Sequence, residues 1–122
     1  MHNIKLGLAL VMTALFSLSA TAFAADDLTI RNESSHIARV YLYTLHEQLV
    51  SSATVPYVTT ARLRSKKGGT TAKLIKVYLY EGMSGGKALC SMSELIRPGD
   101  LDWEITATPH IRKNSDCSLH RV

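Results

Sequence analysis

Short runs of β-favouring residues, separated by turn signals roughly every 8–12 residues, limit the fold of this chain more than any other feature. The clearest run spans residues 101–108, where Trp103 and Ile105 alternate with polar residues at the two-residue period of a half-buried strand. Pro109 ends this run, because proline cannot donate a ladder hydrogen bond. No stretch beyond the first 24 residues shows helical periodicity. The pattern predicts an all-β fold, a small antiparallel β-sandwich or barrel of about seven strands.

Turn signals also set the boundaries of the candidate strands. Gly68-Gly69, Arg97-Pro98-Gly99-Asp100 and Pro56 each mark one boundary. Asn32-Glu33-Ser34-Ser35 marks another, and we interpret its N-x-S spacing as a chance match to a glycosylation acceptor in a bacterial-type export context. The predicted strands occupy residues 28–31, 36–44, 48–55, 58–65, 70–80, 88–93 and 101–108, with residues 94–96 extending the sixth and 117–122 as an eighth candidate.

The first 24 residues have the pattern of a secretory signal peptide. Lys5 supplies a positive charge, residues 6–16 are almost continuously apolar, and Ala22-Phe23-Ala24 matches an A-x-A cleavage site. An uncleaved membrane anchor is the alternative, but the apolar run falls short of the ~20 residues that span a bilayer. We therefore predict a cleaved signal peptide at residues 1–24 and one β-sandwich domain at residues 25–122, located in the periplasm or secreted, with no transmembrane segment in the mature chain.

Two cysteines follow the predicted cleavage site, Cys90 and Cys117. An even pair in an exported chain predicts a disulfide. The alternative is a reactive or metal-binding pair, but neither cysteine lies in a C-x-x-C motif or beside a histidine. The bond would close a loop of about 28 residues and stabilise the fold by ~3–4 kcal/mol in the chain-entropy model.

The strongest electrostatic feature is the segment 61–81, ARLRSKKGGTTAKLIKVYLYE. We predict two strands joined at Gly68-Gly69, which together form one basic hairpin. A tight turn would set Arg64 opposite Lys73, an unfavourable pair of like charges, whereas a looser loop would set Arg62 there, so the register stays open. The candidate binding residues on this segment are Arg62, Arg64, Lys66, Lys67, Lys73 and Lys76.

The basic hairpin has two interpretations. It can be a contact surface for an anionic partner, such as an acidic protein, lipid head groups, lipopolysaccharide or a polyanionic glycan. It can also be a charged, solvated hairpin that keeps a strand edge from aggregating. Nucleic acid is disfavoured as a partner, because the chain is predicted to be exported and no aromatic residues interleave the basic run.

Residues 39–44, RVYLYT, closely resemble residues 76–81, KVYLYE. The similarity reflects either a duplicated strand-turn-strand unit or two central strands that use the same β-favouring residues. Strand alternation places two tyrosines on one face of each strand. If the two strands are neighbours, the rings would form a ladder or platform. These candidate binding residues are Tyr41, Tyr43, Tyr78 and Tyr80.

The chain lacks recognisable catalytic patterns. It has no G-x-S-x-G motif for an activated serine, and its glycine-rich loop at residues 81–86 lacks the ending of a phosphate-binding loop. Asp102 and Glu104 alternate with Trp103, so we predict a solvated pair rather than the two carboxylates of a glycosidase.

The histidines do not have the spacing of a zinc site. His36 and His46 flank one predicted strand and would lie about 30 Å apart at ~3.3 Å per residue. His110 and His120 straddle Cys117, and only a folded-back tail could bring them together. We therefore expect exposed histidines, no metal and no cofactor.

These observations favour a non-enzymatic binding module that acts on another envelope or secreted protein, as an inhibitor or immunity protein does. The alternative is a surface module that binds anionic lipid or glycan through the basic hairpin. A small hydrolase is a third class, and it would require Asp102, Glu104 or a histidine to lie in a cleft.

Overall fold

The computed structural model describes residues 27–82 and 86–122. The predicted signal peptide at residues 1–24 and residues 83–85 of the glycine-rich loop therefore lie outside the described residues. The strands are β1 (Asp27–Asn32), β2 (Ile37–Tyr43), β3 (Leu49–Val55), β4 (Thr59–Arg64), β5 (Lys66–Lys67), β6 (Thr70–Thr71), β7 (Leu74–Tyr80), β8 (Cys90–Leu95), β9 (Asp102–Ala107) and β10 (Cys117–Arg121). A 3₁₀ turn at Asn114–Asp116 precedes β10. Within these described ranges, no helix is long and apolar enough to cross a membrane.

The long strands form two four-stranded sheets. Sheet I has the order β10-β9-β1-β4, and sheet II has the order β3-β2-β7-β8. Neighbours are antiparallel except β1 and β9, which run parallel. The prediction of an all-β, sandwich-like fold is confirmed.

The core lies between the two sheets and follows the alternation of each strand. Every second residue of β2 and β7 is fully buried, and the same period buries Leu28 and Ile30 in β1. Trp103 is only 1% exposed, as predicted, and its indole N–H donates to the Asp100 carbonyl at 2.9 Å. Burying one such large apolar side chain contributes about 1.5–3 kcal/mol. The alternation in the sequence places such side chains on the inner face of each sheet, and their burial stabilises the sandwich.

The sandwich is joined at both of its sides. On one side, the predicted disulfide is present and links Cys90 in β8 to Cys117 in β10, the outermost strands of the two sheets. On the other side, a turn at residues 56–58 connects β3 to β4, and the Ser51 hydroxyl donates to the Arg64 carbonyl at 2.7 Å.

The predicted long basic hairpin is wrong. β4 pairs with β1 in sheet I, whereas β7 pairs with β2 and β8 in sheet II, so the two halves of the hairpin belong to opposite sheets. The physical reason is that each half has its own apolar face: Leu63 of β4 and Val77 of β7 are both buried in the core between the sheets. Only the short strands β5 and β6 pair across Gly68-Gly69.

The turn at Gly68-Gly69 is the tight form, since Lys67 pairs with Thr70 and both glycines have positive φ. The paired segment ends where the Ala72 N–H donates to the Ser65 carbonyl at 2.7 Å. At the next position the chains separate, and the Lys73 N–H donates to the Tyr43 carbonyl of sheet II instead. Strand pairing therefore stops before Arg64 and Lys73 would lie opposite each other.

Candidate functional site

The two similar segments are neighbouring strands. β2 and β7 pair antiparallel with Val40 opposite Val77, so Arg39 lies opposite Tyr78 and Tyr41 opposite Lys76. The valines face the core, and the flanking cations and tyrosines therefore lie on the outer face of sheet II. We call this surface the tyrosine face, and its members are Arg39, Tyr41, Tyr43, Lys76, Tyr78 and Tyr80.

The side chains of the tyrosine face are held by one another. The Tyr41 ring stacks on Tyr43 with 6.2 Å between centroids and meets Tyr78 edge-on at 5.8 Å. Aromatic pairs in these arrangements contribute ~0.5–1.5 kcal/mol beyond their buried area. Tyr41, Tyr43 and Tyr78 therefore form one packed group of half-buried rings, and the half-buried Tyr80 ring contacts Arg39.

A cation lies over a tyrosine ring at two corners of the tyrosine face. The Arg39 guanidinium is 5.0 Å from the Tyr80 centroid, and the Lys76 ammonium is 5.2 Å from the Tyr43 centroid. The antiparallel pairing of two similar strands produces this arrangement, because the local two-fold relation through Val40 and Val77 exchanges the two contacts. Each contact contributes ~0.5–1 kcal/mol at an exposed site.

The six predicted basic residues do not share one surface. Lys76 belongs to the tyrosine face, where it also contacts the Glu47 carboxylate at 3.2 Å. Lys73 and Lys66 border a groove of about 250 Å³ beside the turn at residues 97–99. A larger groove of about 450 Å³, the β3–β4 groove, lies between the free edges of β3 and β4, and Lys66 borders this groove as well. Its basic members are Arg62, Arg64, Lys66 and Lys67.

The β3–β4 groove combines residues from two separate segments. Residues 50–53 of β3 supply one wall, and residues 62–64 and 66–68 supply the other. Arg62 contacts the Asp27 carboxylate at 3.7 Å, with the arginine side chain well exposed. An exposed ion pair of this type contributes about 1 kcal/mol or less, so Arg62 can exchange this partner for an anion in the groove.

The outer face of sheet I is a set of charged pairs. Asp102 is exposed, as predicted. The Glu104 carboxylate contacts the His120 imidazole at 3.0 Å and the Arg31 guanidinium at 3.9 Å. The two carboxylates flank the buried Trp103 on the outward side of β9, and Glu104 already has a partner on each neighbouring strand.

The expectation of exposed histidines is wrong for His36. Its side chain is buried at 9% exposure, and its Nε2 has no hydrogen-bond partner among the described residues. Strand alternation places His36 on the same face as the buried Ala38 and Val40, so the sequence did contain a signal for this burial. His46, His110 and His120 are exposed. Across residues 27–82 and 86–122, no three histidine, cysteine or acidic side chains are grouped as metal ligands would be.

The end of the sandwich that contains His36 has a buried polar network, which the sequence did not predict. Asn32 is fully buried, and its amide donates to the carbonyls of His36 at 2.8 Å and Val55 at 2.9 Å. Its carbonyl accepts from the Ser34 N–H at 3.0 Å and the Ser34 hydroxyl at 2.6 Å. The Asn32 amide nitrogen is therefore enclosed, and it is inaccessible for glycosylation in this fold. The only sequence feature that pointed toward this network was the presence of an asparagine and a serine in the turn Asn32-Glu33-Ser34-Ser35.

Arg121, near the end of the chain, connects three elements. Its guanidinium donates to the Asp100 carboxylate at 2.6 Å and to the Leu95 carbonyl at 2.9 Å, and it lies 5.0 Å from the Trp103 ring centroid. The hydrogen bond from Arg121 lowers the pKa of the Asp100 carboxyl, and the Arg97 backbone N–H lowers it further. This cluster fastens β10 to the turn that precedes β9.

Comparison of the chain with protein-family models, with the sequences of characterised proteins and with solved structures gave no match. The geometry of the tyrosine face and of the β3–β4 groove is therefore the basis for assigning a function.

Proposed function

We propose that this protein is an exported, non-enzymatic binding module that acts on another envelope or secreted protein in the manner of an inhibitor or immunity protein. The observation that carries the proposal is the tyrosine face, in which three packed rings, a fourth ring and two cations lie on one side of sheet II. The disulfide Cys90–Cys117 supports an oxidising compartment outside the cytoplasm.

The composition of the tyrosine face suits a protein partner. Tyrosine and arginine are enriched in protein interfaces and among the residues that contribute most to binding. A tyrosine side chain adds a large contact area and loses the freedom of only two torsions on binding. The Tyr41, Tyr43 and Tyr78 rings already pack on one another. Binding therefore orders few additional side chains, which reduces the entropic cost of association.

The charges indicate the character of the partner surface. Arg39 and Lys76 place positive charge on the tyrosine face, and the β3–β4 groove adds more beside it. A partner with acidic residues around an apolar centre would complement this surface and associate faster at low salt.

Binding of anionic lipid or glycan through the basic residues is the alternative function. It is less well supported, because the six cations are divided among the tyrosine face and two grooves.

The proposal can be tested by affinity capture with matched variants. The oxidised domain would be immobilised and exposed to envelope and secreted fractions of its source, then washed at low salt and at ~1 M NaCl, which screens exposed charges. The variant Tyr41→Ala/Tyr78→Ala removes the centre of the tyrosine face. Tyr57→Ala is the control, because Tyr57 is an exposed aromatic residue in the β3–β4 turn.

We expect one protein to be retained at high salt by the wild type and by Tyr57→Ala, and to be lost from the double variant. Melting curves of all three proteins would show that folding is intact. Equal capture by the double variant would contradict a role for the tyrosine face. A lipid or glycan load that elutes with salt and depends on Arg62 and Lys67 would support the alternative function instead.

A further inference from the structure

We infer that the free edge of β3 is a docking site for an extended, acidic segment of the partner protein, which pairs with β3 as an additional strand. This inference rests on the proposed function only in assigning the segment to that partner. Its own support comes from the exposed backbone of β3 and from the charges on either side of it.

β3 is a strand edge without charged or proline protection, although its pairing with β2 shifts register between Ser51 and Leu49. It ends sheet II, so every second peptide group faces away from its neighbour β2. Its seven residues, LVSSATV, contain no charge, proline or glycine. The middle side chains, Ser51 to Thr54, are small, which leaves room for another backbone beside them.

The other sheet edges in the described part of the chain are protected. β4 carries Arg62 and Arg64, and β10 ends in His120 and Arg121. β8 begins at the disulfide, and its Ser91 N–H donates to the Asn114 side chain at 2.8 Å. Charged residues and covering segments are the usual means by which proteins prevent pairing at an edge. β3 has no charged side chain. The Ser51 hydroxyl reaches the Arg64 carbonyl on the side of sheet I, but the peptide groups of β3 that face away from β2 mark this edge as available for strand addition, a common mode of peptide recognition.

Cations lie on both sides of the β3 edge. Arg62, Arg64 and Lys67 line the β3–β4 groove on the side of sheet I. On the outer side, Arg39 and Tyr41 line a depression of about 370 Å³ with residues 52–54 of β3. The side chains of an added strand would point alternately to these two sides. Acidic side chains would meet an arginine or lysine on either side, so charge complementarity selects an acidic segment.

The probe for this site is a fluorescein-labelled peptide of eight residues that alternates glutamate and threonine, measured by fluorescence anisotropy. A glutamine–threonine peptide of the same length tests the charge. Two glutamate–threonine peptides, N-methylated at the odd or at the even positions, test backbone pairing, because the N–H groups of successive residues face opposite edges of a strand.

We expect the glutamate–threonine peptide to bind and the glutamine–threonine peptide to bind at least tenfold more weakly. One N-methylated peptide should lose at least tenfold in affinity, since several backbone hydrogen bonds of ~1 kcal/mol each would be removed. The other should bind like the unmethylated peptide, because its methyl groups face away from β3.

The protein variants give a second readout. Arg62→Glu/Lys67→Glu should weaken binding of the glutamate–threonine peptide at least tenfold. Lys87→Glu/Arg112→Glu makes the same change of net charge in exposed residues of the loops before β8 and β10, and it should leave binding within about twofold.

Several results would overturn the inference. These are no binding of the glutamate–threonine peptide, equal binding of both N-methylated peptides, or equal loss in the two protein variants. Binding of heparin or phosphatidylglycerol vesicles in place of the peptide would do so too. If the peptide test fails while a tyrosine-dependent partner is captured, only the β3 docking site is rejected. Peptide binding without such a partner would reject only the tyrosine face.

Discussion

Replacing Asn32 with alanine should be among the most destabilising single changes in this protein. Asn32 is the centre of the buried polar network at one end of the sandwich, where it connects β1 to the turn before β2 and to the end of β3. Alanine removes both the donors and the acceptor and leaves their partners enclosed.

The magnitude follows from three hydrogen bonds. The amide donates to the carbonyls of His36 and Val55, and the carbonyl accepts from the Ser34 N–H, all at 2.8–3.0 Å. Leaving a buried polar group without a partner costs ~1–3 kcal/mol. The lower end applies here, because the variant frees the Ser34 hydroxyl from its Asn32 acceptor, and this hydroxyl can then donate to the His36 carbonyl 3.2 Å away. We therefore expect a loss of about 3–4 kcal/mol in the free energy of unfolding, a large share of the ~5–15 kcal/mol typical of a domain.

Urea unfolding monitored by tryptophan fluorescence would measure this loss. Trp103 is the one tryptophan in the chain and is buried, so its emission reports loss of the core. Ser35→Ala is the matched control, since Ser35 is an exposed residue of the same turn and its replacement should change stability by less than ~0.5 kcal/mol. A loss of under ~1 kcal/mol for Asn32→Ala would refute the argument that this network anchors the end of the sandwich.

Three further changes have defined outcomes. Replacing Cys90 and Cys117 with serine should lower the free energy of unfolding by ~3–4 kcal/mol in the same urea titration, and a loss below ~1 kcal/mol would show that the closed loop constrains the unfolded chain little. Asp100 has a lowered pKa, so its contribution to stability is present above the ordinary carboxyl pKa and is lost as pH falls through its folded-state pKa. The melting temperature of the wild type should therefore drop in acid. An equal drop in the Asp100→Asn variant would contradict this role of Asp100. Val58 is 73% exposed with φ +57, a strained backbone for a β-branched residue, so Val58→Gly should raise stability by ~0.5–1 kcal/mol; a lower melting temperature would show that the strain is absent.

The strands could be predicted because their signals are local. Pro56 and Pro109 end β3 and β9 as expected, and the alternation around Trp103 identified the buried face of β9. The disulfide was likewise predictable, since the chain offers only two cysteines after the predicted signal peptide. Each of these features depends on a few neighbouring residues or on composition, so tertiary structure was not needed to recognise it.

The long basic hairpin was mispredicted because sheet membership is not a local property. A Gly-Gly turn between two strand-like segments favours pairing, but β4 and β7 each gain more by burying an apolar face in opposite sheets. The burial of His36 had a local signal instead, because His36 is in phase with the buried Ala38 and Val40 in the predicted strand.

The sequence by itself determined the strand pattern and the disulfide partners. It also determined that Tyr41 shares a strand face with Tyr43, and Tyr78 with Tyr80, because a strand has a two-residue period. Tertiary structure decided that β2 and β7 lie side by side, which brings the two tyrosine pairs and their cations into one surface. It also decided that the free edges of β3 and β4 face each other across a basic groove. Both surfaces join residues that are distant along the chain, and their contacts depend on how the two sheets pack.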